Sequence, residues 1–126
     1  MAKVLFVCVG NQGRSVMAER LFRVEAPQHE ARSAGAMPGE AIHPEALAAL
    51  GELGIDASDH VPRKLDDELL DWADVVVATC DGVCPVTPGK LRHDWHVRDP
   101  MYQPMDEVRA IRDEIFDHIR RLLPQL

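Results

Sequence analysis

The chain has 126 residues, 46% of them hydrophobic and 28% charged, ordinary values for a soluble globular protein that predict one domain, 1–126, with a single core. Fourteen Lys and Arg against 21 Asp and Glu leave a formal charge of −7, which disfavours nonspecific binding to nucleic acid or anionic membrane because both need excess positive charge. The longest apolar stretches, Val4 to Val9 and Ala73 to Thr79, fall far short of the ~18 residues needed to cross a bilayer, and the first runs into a Gly-rich turn instead of a small-residue cleavage site. A cytoplasmic setting is expected. In that reducing compartment three cysteines argue against a structural disulfide framework.

Lys3 to Cys8 is a continuous aliphatic and β-branched run, the pattern of a strand buried on both faces of a parallel sheet. After the turn Gly10 to Gly13, Val16, Met17, Leu21 and Phe22 recur near helical spacing, with Glu19 and Arg20 on the other side and Pro27 closing the segment. Glu30 to Ala34 is a second predicted strand, followed by a loop through Gly39. Pro44 suits the first turn of a helix whose apolar stripe is Leu47, Leu50 and Leu53, stopped at Gly54. Asp66 to Trp72 predicts a short helix capped by Asp66 or Asp67, Asp74 to Thr79 another buried strand, and Leu91 to Val97 a weaker one. From Met105 to Leu123 the positions Val108, Ile111, Ile115, Ile119 and Leu122 keep helical spacing, and Arg120 and Arg121 lie where the macrodipole favours cations. Alternating strands and helices imply a three-layer α/β domain with a parallel sheet and right-handed crossovers.

The segment Cys8, Val9, Gly10, Asn11, Gln12, Gly13, Arg14, Ser15 fits CX5R followed by Ser, directly after a buried strand and directly before a helix. A loop wrapping from strand end to helix start can turn several backbone N–H groups inward, and the glycines at 10 and 13 allow angles that other residues resist. Residues 9 to 14, that is Val9, Gly10, Asn11, Gln12, Gly13 and Arg14, are therefore the expected oxyanion cradle. The helix dipole and the forked donors of Arg14 add to it. The same nest favours a thiolate, so Cys8, helped by the Ser15 hydroxyl, is expected to be a nucleophile at neutral pH. The simpler reading, a small apolar cysteine before an ordinary turn, does not account for Cys, Arg and Ser in phase around glycines. A Walker-type loop is excluded because GXXXXGK[ST] is absent.

Together with Ser33, Ala34 and Gly35 after the second strand, the Trp72, Ala73, Asp74 and triple-valine stretch, Cys84 with Pro85, and Asp99 with Pro100, the loop resembles the low-molecular-weight protein tyrosine phosphatases and the arsenate reductases that share their fold. The resemblance runs nearly end to end. It implies a four-stranded parallel sheet of flavodoxin-like topology, Cys8 as nucleophile, Arg14 and the loop amides as oxyanion ligands, Asn11 as the residue holding the loop's strained shape, Ser15 as support for the thiolate and Asp99 as general acid. An Asp on a loop, pinned by the following proline, also suits proton delivery to a leaving oxygen, although Asp-Pro is equally a turn-initiating pair.

Cys80 and Cys84 separate the two activities. A CX3C pair on a Gly-containing loop after a strand can bring its sulfurs within bonding distance. The expected reaction is a relay: Cys8 attacks arsenate, Cys80 attacks the Cys8 adduct, arsenite leaves, and Cys84 takes over the disulfide, which thioredoxin then reduces. The short spacing also resembles family members served by a low-molecular-weight thiol such as mycothiol, so the external reductant stays open; no tightly bound cofactor is expected. Phosphate and sulfate are expected competitors. A phosphatase is the alternative, favoured by Tyr102 three residues after Asp99 and disfavoured by Met101 beside it and by a 5% aromatic content that leaves few stacking residues.

Cys80, Cys84, His93 and His96 superficially match a four-ligand zinc site, but the spacer is short and a strand is expected to separate the pairs, so no metal site is predicted. His29, His43, His60 and His118 are scattered and receive no role. Some reductases of the family hold potassium with Asn, Glu, Ser and Asp; Asn11, Glu19 and Ser33 match three of these, and Arg63 stands at the fourth, where a cation repels the metal.

Overall fold

The computed structural model describes residues 1–79 and 91–126. Its strands are β1 (Lys3–Cys8), β2 (Glu30–Gly35), β3 (Val75–Ala78) and β4 (Leu91–Asp94), and its helices α1 (Arg14–Glu25), α2 (Pro44–Gly51), α3 (Asp67–Trp72) and α4 (Met105–Leu122). All three strand pairings are parallel, in the order β2-β1-β3-β4. This is the predicted three-layer α/β arrangement. The order reverses direction at β1, which puts a crevice at the carboxyl ends of β1 and β3, where ligands of open α/β sheets bind.

Alternation along β1 explains its unbroken apolar run. Val4 and Phe6 face a core built with Met17, Leu21 and Phe22 of α1 and Ile111, Ile115 and Ile119 of α4. Leu5 and Val7 face the opposite side, where Leu69 and Ala73 cover them. Each face thus removes apolar surface from water, at about 25 cal/mol per Å2. Phe6 packs edge-on against Phe22, with ring centroids 5.6 Å apart.

Several elements differ from expectation in ways that have a physical cause. On α2 the buried positions are Ala46, Ala49 and Leu50, while Leu53 is 49% exposed. The small side chains bring α2 close enough to α4 for Arg112 to donate to the Ala49 carbonyl at 2.9 Å. Gly54 does terminate this segment, with φ at +78°. Asp66, not Asp67, caps α3, accepting from the Leu69 amide at 2.8 Å. β4 stops at Asp94; the Trp95 amide makes one last bond to the Ala78 carbonyl at 2.7 Å, and the buried side chains of Trp95 and Val97 fill the core. Glu19, expected on the polar side of α1, is only 5% exposed and points under the edge strand β2. It can be buried there because Ser33 Oγ donates to it at 2.7 Å and Arg20 Nε at 3.1 Å.

Candidate active site

β1 ends at Cys8 and α1 begins at Arg14, and the residues between them turn back on themselves. Asn11 has a φ of 53°, a left-handed conformation that Asn tolerates better than most residues with a side chain. The outward carbonyls of this loop are tied down. Those of Cys8, Val9, Gly10 and Gln12 accept from the amides of Ala36, Met37, Gly39 and His43 at 3.1, 2.8, 3.0 and 2.9 Å. The Asn11 carbonyl lies 2.8 Å from Nε2 of His60, which must carry the proton in that contact because a carbonyl only accepts. In a trans peptide the N–H lies opposite the C=O, so fixing these five carbonyls outward turns the amides of residues 9 to 13 toward the other side. The cradle is set by what surrounds it.

Gly35 is what lets β2 approach this closely. A Cβ there would sit 2.7 Å from the Val9 carbonyl oxygen and 2.8 Å from the Asn11 nitrogen, both backbone atoms.

Cys8 Sγ receives the Asn11 N–H at 3.2 Å and lies 2.8 Å from Ser15 Oγ. Asn11 Nδ2 donates to that same Ser15 oxygen at 2.9 Å, and the hydroxyl keeps a proton that it can donate to an ionised sulfur. Asn11 Oδ1 in turn accepts from the Arg63 amide at 2.9 Å. The first bond of α1 runs from the Met17 amide to the Gly13 carbonyl, so the amides of residues 14 to 16 have no acceptor within the helix.

Above the sulfur lies a cleft of about 180 Å3 lined by the cradle residues Cys8, Gly10, Gln12, Gly13 and Arg14, with Asp99 among the residues facing them. Val9, Met37, His43 and Met101 complete its wall. Arg14 is held by a bond from Nη1 to the Val97 carbonyl at 3.0 Å, and its Nη2 is 3.8 Å from Asp99 Oδ2. The Asp99 side chain is 48% exposed, and Oδ1 accepts from the Met101 amide at 2.9 Å, so the turn geometry of an Asp-Pro pair and an exposed carboxyl over the cleft occur together.

The structure thus brings Cys8, Arg14, Ser15 and Asp99 to one place, with Asn11 beneath. Cys80 and Cys84 lie outside the described residues, and with them half of the superficial zinc pattern; among the described residues no three metal-binding side chains cluster. Tyr102 is 89% exposed and does not line the cleft. The unassigned histidines are not simply solvated. His60 holds the Asn11 carbonyl, His43 lines the cleft, His29 Nδ1 accepts from the Ala2 amide at 2.8 Å, and His118 stacks on Trp95 with centroids 4.9 Å apart. Sequence reasoning missed them because each contact spans a long sequence separation and no local pattern marks it.

A cysteine in an amide-lined cleft shared with an arginine and a carboxylic acid, at the switch point of a parallel sheet, is an arrangement that can hold a tetrahedral oxyanion against a thiol. Residues 3–126 match the family model for low molecular weight phosphotyrosine protein phosphatase, and the chain belongs to that family. It is similar to arsenate reductase 2 of Staphylococcus haemolyticus, 33% identical over 116 residues, which cover 89% of this chain and 88% of that protein. Among solved structures it resembles a Corynebacterium glutamicum thioredoxin-dependent arsenate reductase, at 37% identity and a TM-score of 0.84, over 99% of this chain and 61% of that one. It also resembles the low molecular weight protein tyrosine phosphatase of T. tengcongensis, at 31% identity and a TM-score of 0.90, over the full length of both.

Proposed function

We propose that this chain, acting as one domain in the cytoplasm, reduces arsenate to arsenite. One observation carries the chemistry: five outward carbonyls leave the amides of residues 9 to 13 facing inward around Cys8 Sγ, which also faces Ser15 Oγ at 2.8 Å. The arsenate reductases among its relatives favour arsenate as the substrate.

The Cys8 thiolate attacks arsenic(V), an S–As bond forms, and one oxygen leaves as water with a proton from Asp99. Arg14 and the cradle amides hold the remaining oxygens. Cys80, as thiolate, then attacks Cys8 Sγ. The S–As bond breaks with its electron pair going to arsenic, so arsenic is reduced by two electrons while two thiols become the Cys8 to Cys80 disulfide. Cys84 attacks Cys80, frees Cys8 and leaves a Cys80 to Cys84 disulfide for an external dithiol of the thioredoxin type to reduce. A low-molecular-weight thiol attacking the adduct directly is the other route, and phosphate or sulfate competes for the cradle.

The second reading is a phosphatase, for which the full-length likeness to the T. tengcongensis enzyme speaks. Tyr102, exposed and not among the residues lining the cleft, speaks against an aryl-stacking wall. Turnover of arsenate with thioredoxin and its reductase, compared with turnover of an aryl phosphate, separates the two. Disulfide mapping by mass spectrometry after one arsenate turnover without reductant tests the relay. A Cys80 to Cys84 bond is the expected result; a protein left fully reduced would overturn the reductase reading. Asp99→Asn is expected to lower turnover about 10² to 10⁴-fold.

A further inference from the structure

Asn11 stands between two clefts. Its amide and Nδ2 reach toward Cys8 and Ser15, while its carbonyl and Oδ1 are held by His60 and Arg63. His60 and Arg63 belong to the wall of a second cleft, of about 410 Å3, that also takes in Arg20, Arg23 and Arg32. Four arginines on one cleft are unexpected in a chain with a formal charge of −7.

The acids of that cleft account for only two of the four. Glu19 is bound by Arg20 Nε at 3.1 Å and lies 3.4 Å from Arg23 Nη2, and Asp59 accepts from Arg20 Nη1 at 2.7 Å. The Arg20 hydrogen bond and its charge hold the Asp59 carboxyl below the usual carboxylate range. Arg23 also donates to the Ala31 carbonyl at 3.2 Å. Arg32 and Arg63 are left over. Among the described residues neither guanidinium has a hydrogen-bond or ion-pair partner, and Arg32 is set in place by its stack on the Trp72 ring, 4.3 Å from the centroid. Two uncompensated guanidinium groups lining one cleft match a small dianion in charge, and each guanidinium can fork two donors onto such an anion's oxygens.

We propose that this cleft is a second oxyanion site, in which a tetrahedral dianion of the phosphate type is bound by Arg32 and Arg63 on the side of Asn11 away from the nucleophile. The site is independent of which reaction Cys8 performs. It also faces the region where Glu19 and Ser33 meet, already closed to a metal ion by the two guanidinium groups on Glu19.

The test is calorimetric titration of the full chain carrying Cys8→Ser and Arg14→Ala, which disables the catalytic cradle, with inorganic phosphate and with glycerol 3-phosphate in separate arms. One phosphate is expected to bind, and Arg32→Ala and Arg63→Ala are each expected to weaken it about tenfold. Arg121→Ala, near the far end of α4, is expected to leave the affinity unchanged. Tighter binding of inorganic phosphate supports a free ion. Binding of the ester alone, absence of binding, or equal weakening by Arg121→Ala would overturn the proposal. The intact protein provides a second check, since its stoichiometry should fall from two phosphates to one in Arg32→Ala/Arg63→Ala.

Discussion

Asn11 Nδ2 donates to Ser15 Oγ at 2.9 Å and so anchors the hydroxyl beside the sulfur of Cys8. Ser15 Oγ lies 2.8 Å from Cys8 Sγ, and an ionised sulfur, which has no proton of its own to give, can only accept from it. A hydrogen bond to a charged sulfur is worth about 1.5–3 kcal/mol. Ser15→Ala is therefore expected to slow both iodoacetamide alkylation of Cys8 and catalytic turnover by roughly 10- to 150-fold. Asn11→Gly separates the side chain from the backbone: it keeps φ at 53° accessible but removes Nδ2 and Oδ1, so it should slow alkylation as Ser15→Ala does. Full reactivity in both variants would remove the hydroxyl from the thiolate's support.

Gly35→Ala is predicted to damage the cradle from outside it. The new methyl group would meet the Val9 oxygen at 2.7 Å and the Asn11 nitrogen at 2.8 Å, and neither is the end of a flexible side chain. The backbone has to shift. A stability loss of about 1–3 kcal/mol is expected by urea denaturation, accompanied by reduced Cys8 alkylation in the folded protein. An equal substitution at Gly51, where a Cβ would meet nothing within 4 Å, should leave alkylation unchanged.

Glu19 and Ser33 meet beneath β2, and two guanidinium groups already neutralise the carboxylate. Rates in sodium and potassium buffers of equal ionic strength are predicted to agree, and activation by potassium alone would contradict this. Glu19→Gln removes a buried anion. Because Arg20 keeps Asp59 and Arg23 is half exposed, the cost should fall near the low end for broken buried pairs, about 3 kcal/mol by chemical denaturation.

His118 sets a predicted pH dependence of stability. Burial first, and the nearby charge of Arg121 second, hold its pKa below the ordinary histidine value of 6.5. The unfolded chain thus binds more protons between the folded and unfolded values, and stability rises with pH through that window. As pH falls below the unfolded value the folded state loses stability, and the loss is complete once pH lies below the folded value. Melting temperatures measured from pH 7.5 downward should fall less steeply in His118→Phe. Trp95 fluorescence should change over the same range in the parent protein only, since the two rings are stacked at 14°.

The cradle was legible because its parts are contiguous. Cys8, Gly10, Gly13, Arg14 and Ser15 occur within one strand–turn–helix segment, and strand and helix each announce themselves by period. β1 and α4 were equally clear, since one face or both must be apolar along their whole length. α2 was misread at Leu53 because helical spacing identifies a stripe but not the partner helix. Closeness to α4 selected Ala46 and Ala49 over larger side chains. Glu19 was misplaced for a related reason: its charge argues for solvent until Ser33 and Arg20, brought from a strand and the next residue, satisfy it.

Sequence by itself determined where the CX5R turn falls and which layers cover the sheet, because strand and helix periods and a CX5R turn are local properties of the chain. Tertiary structure alone decided how the cradle is held open. The amides of Ala36, Met37, Gly39 and His43 and the ring of His60 fix its peptide planes, and the Arg63 amide fixes the Asn11 side chain, all from segments far away in sequence. Such hydrogen bonds depend on where the folded chain brings these groups, and no spacing along the chain encodes that.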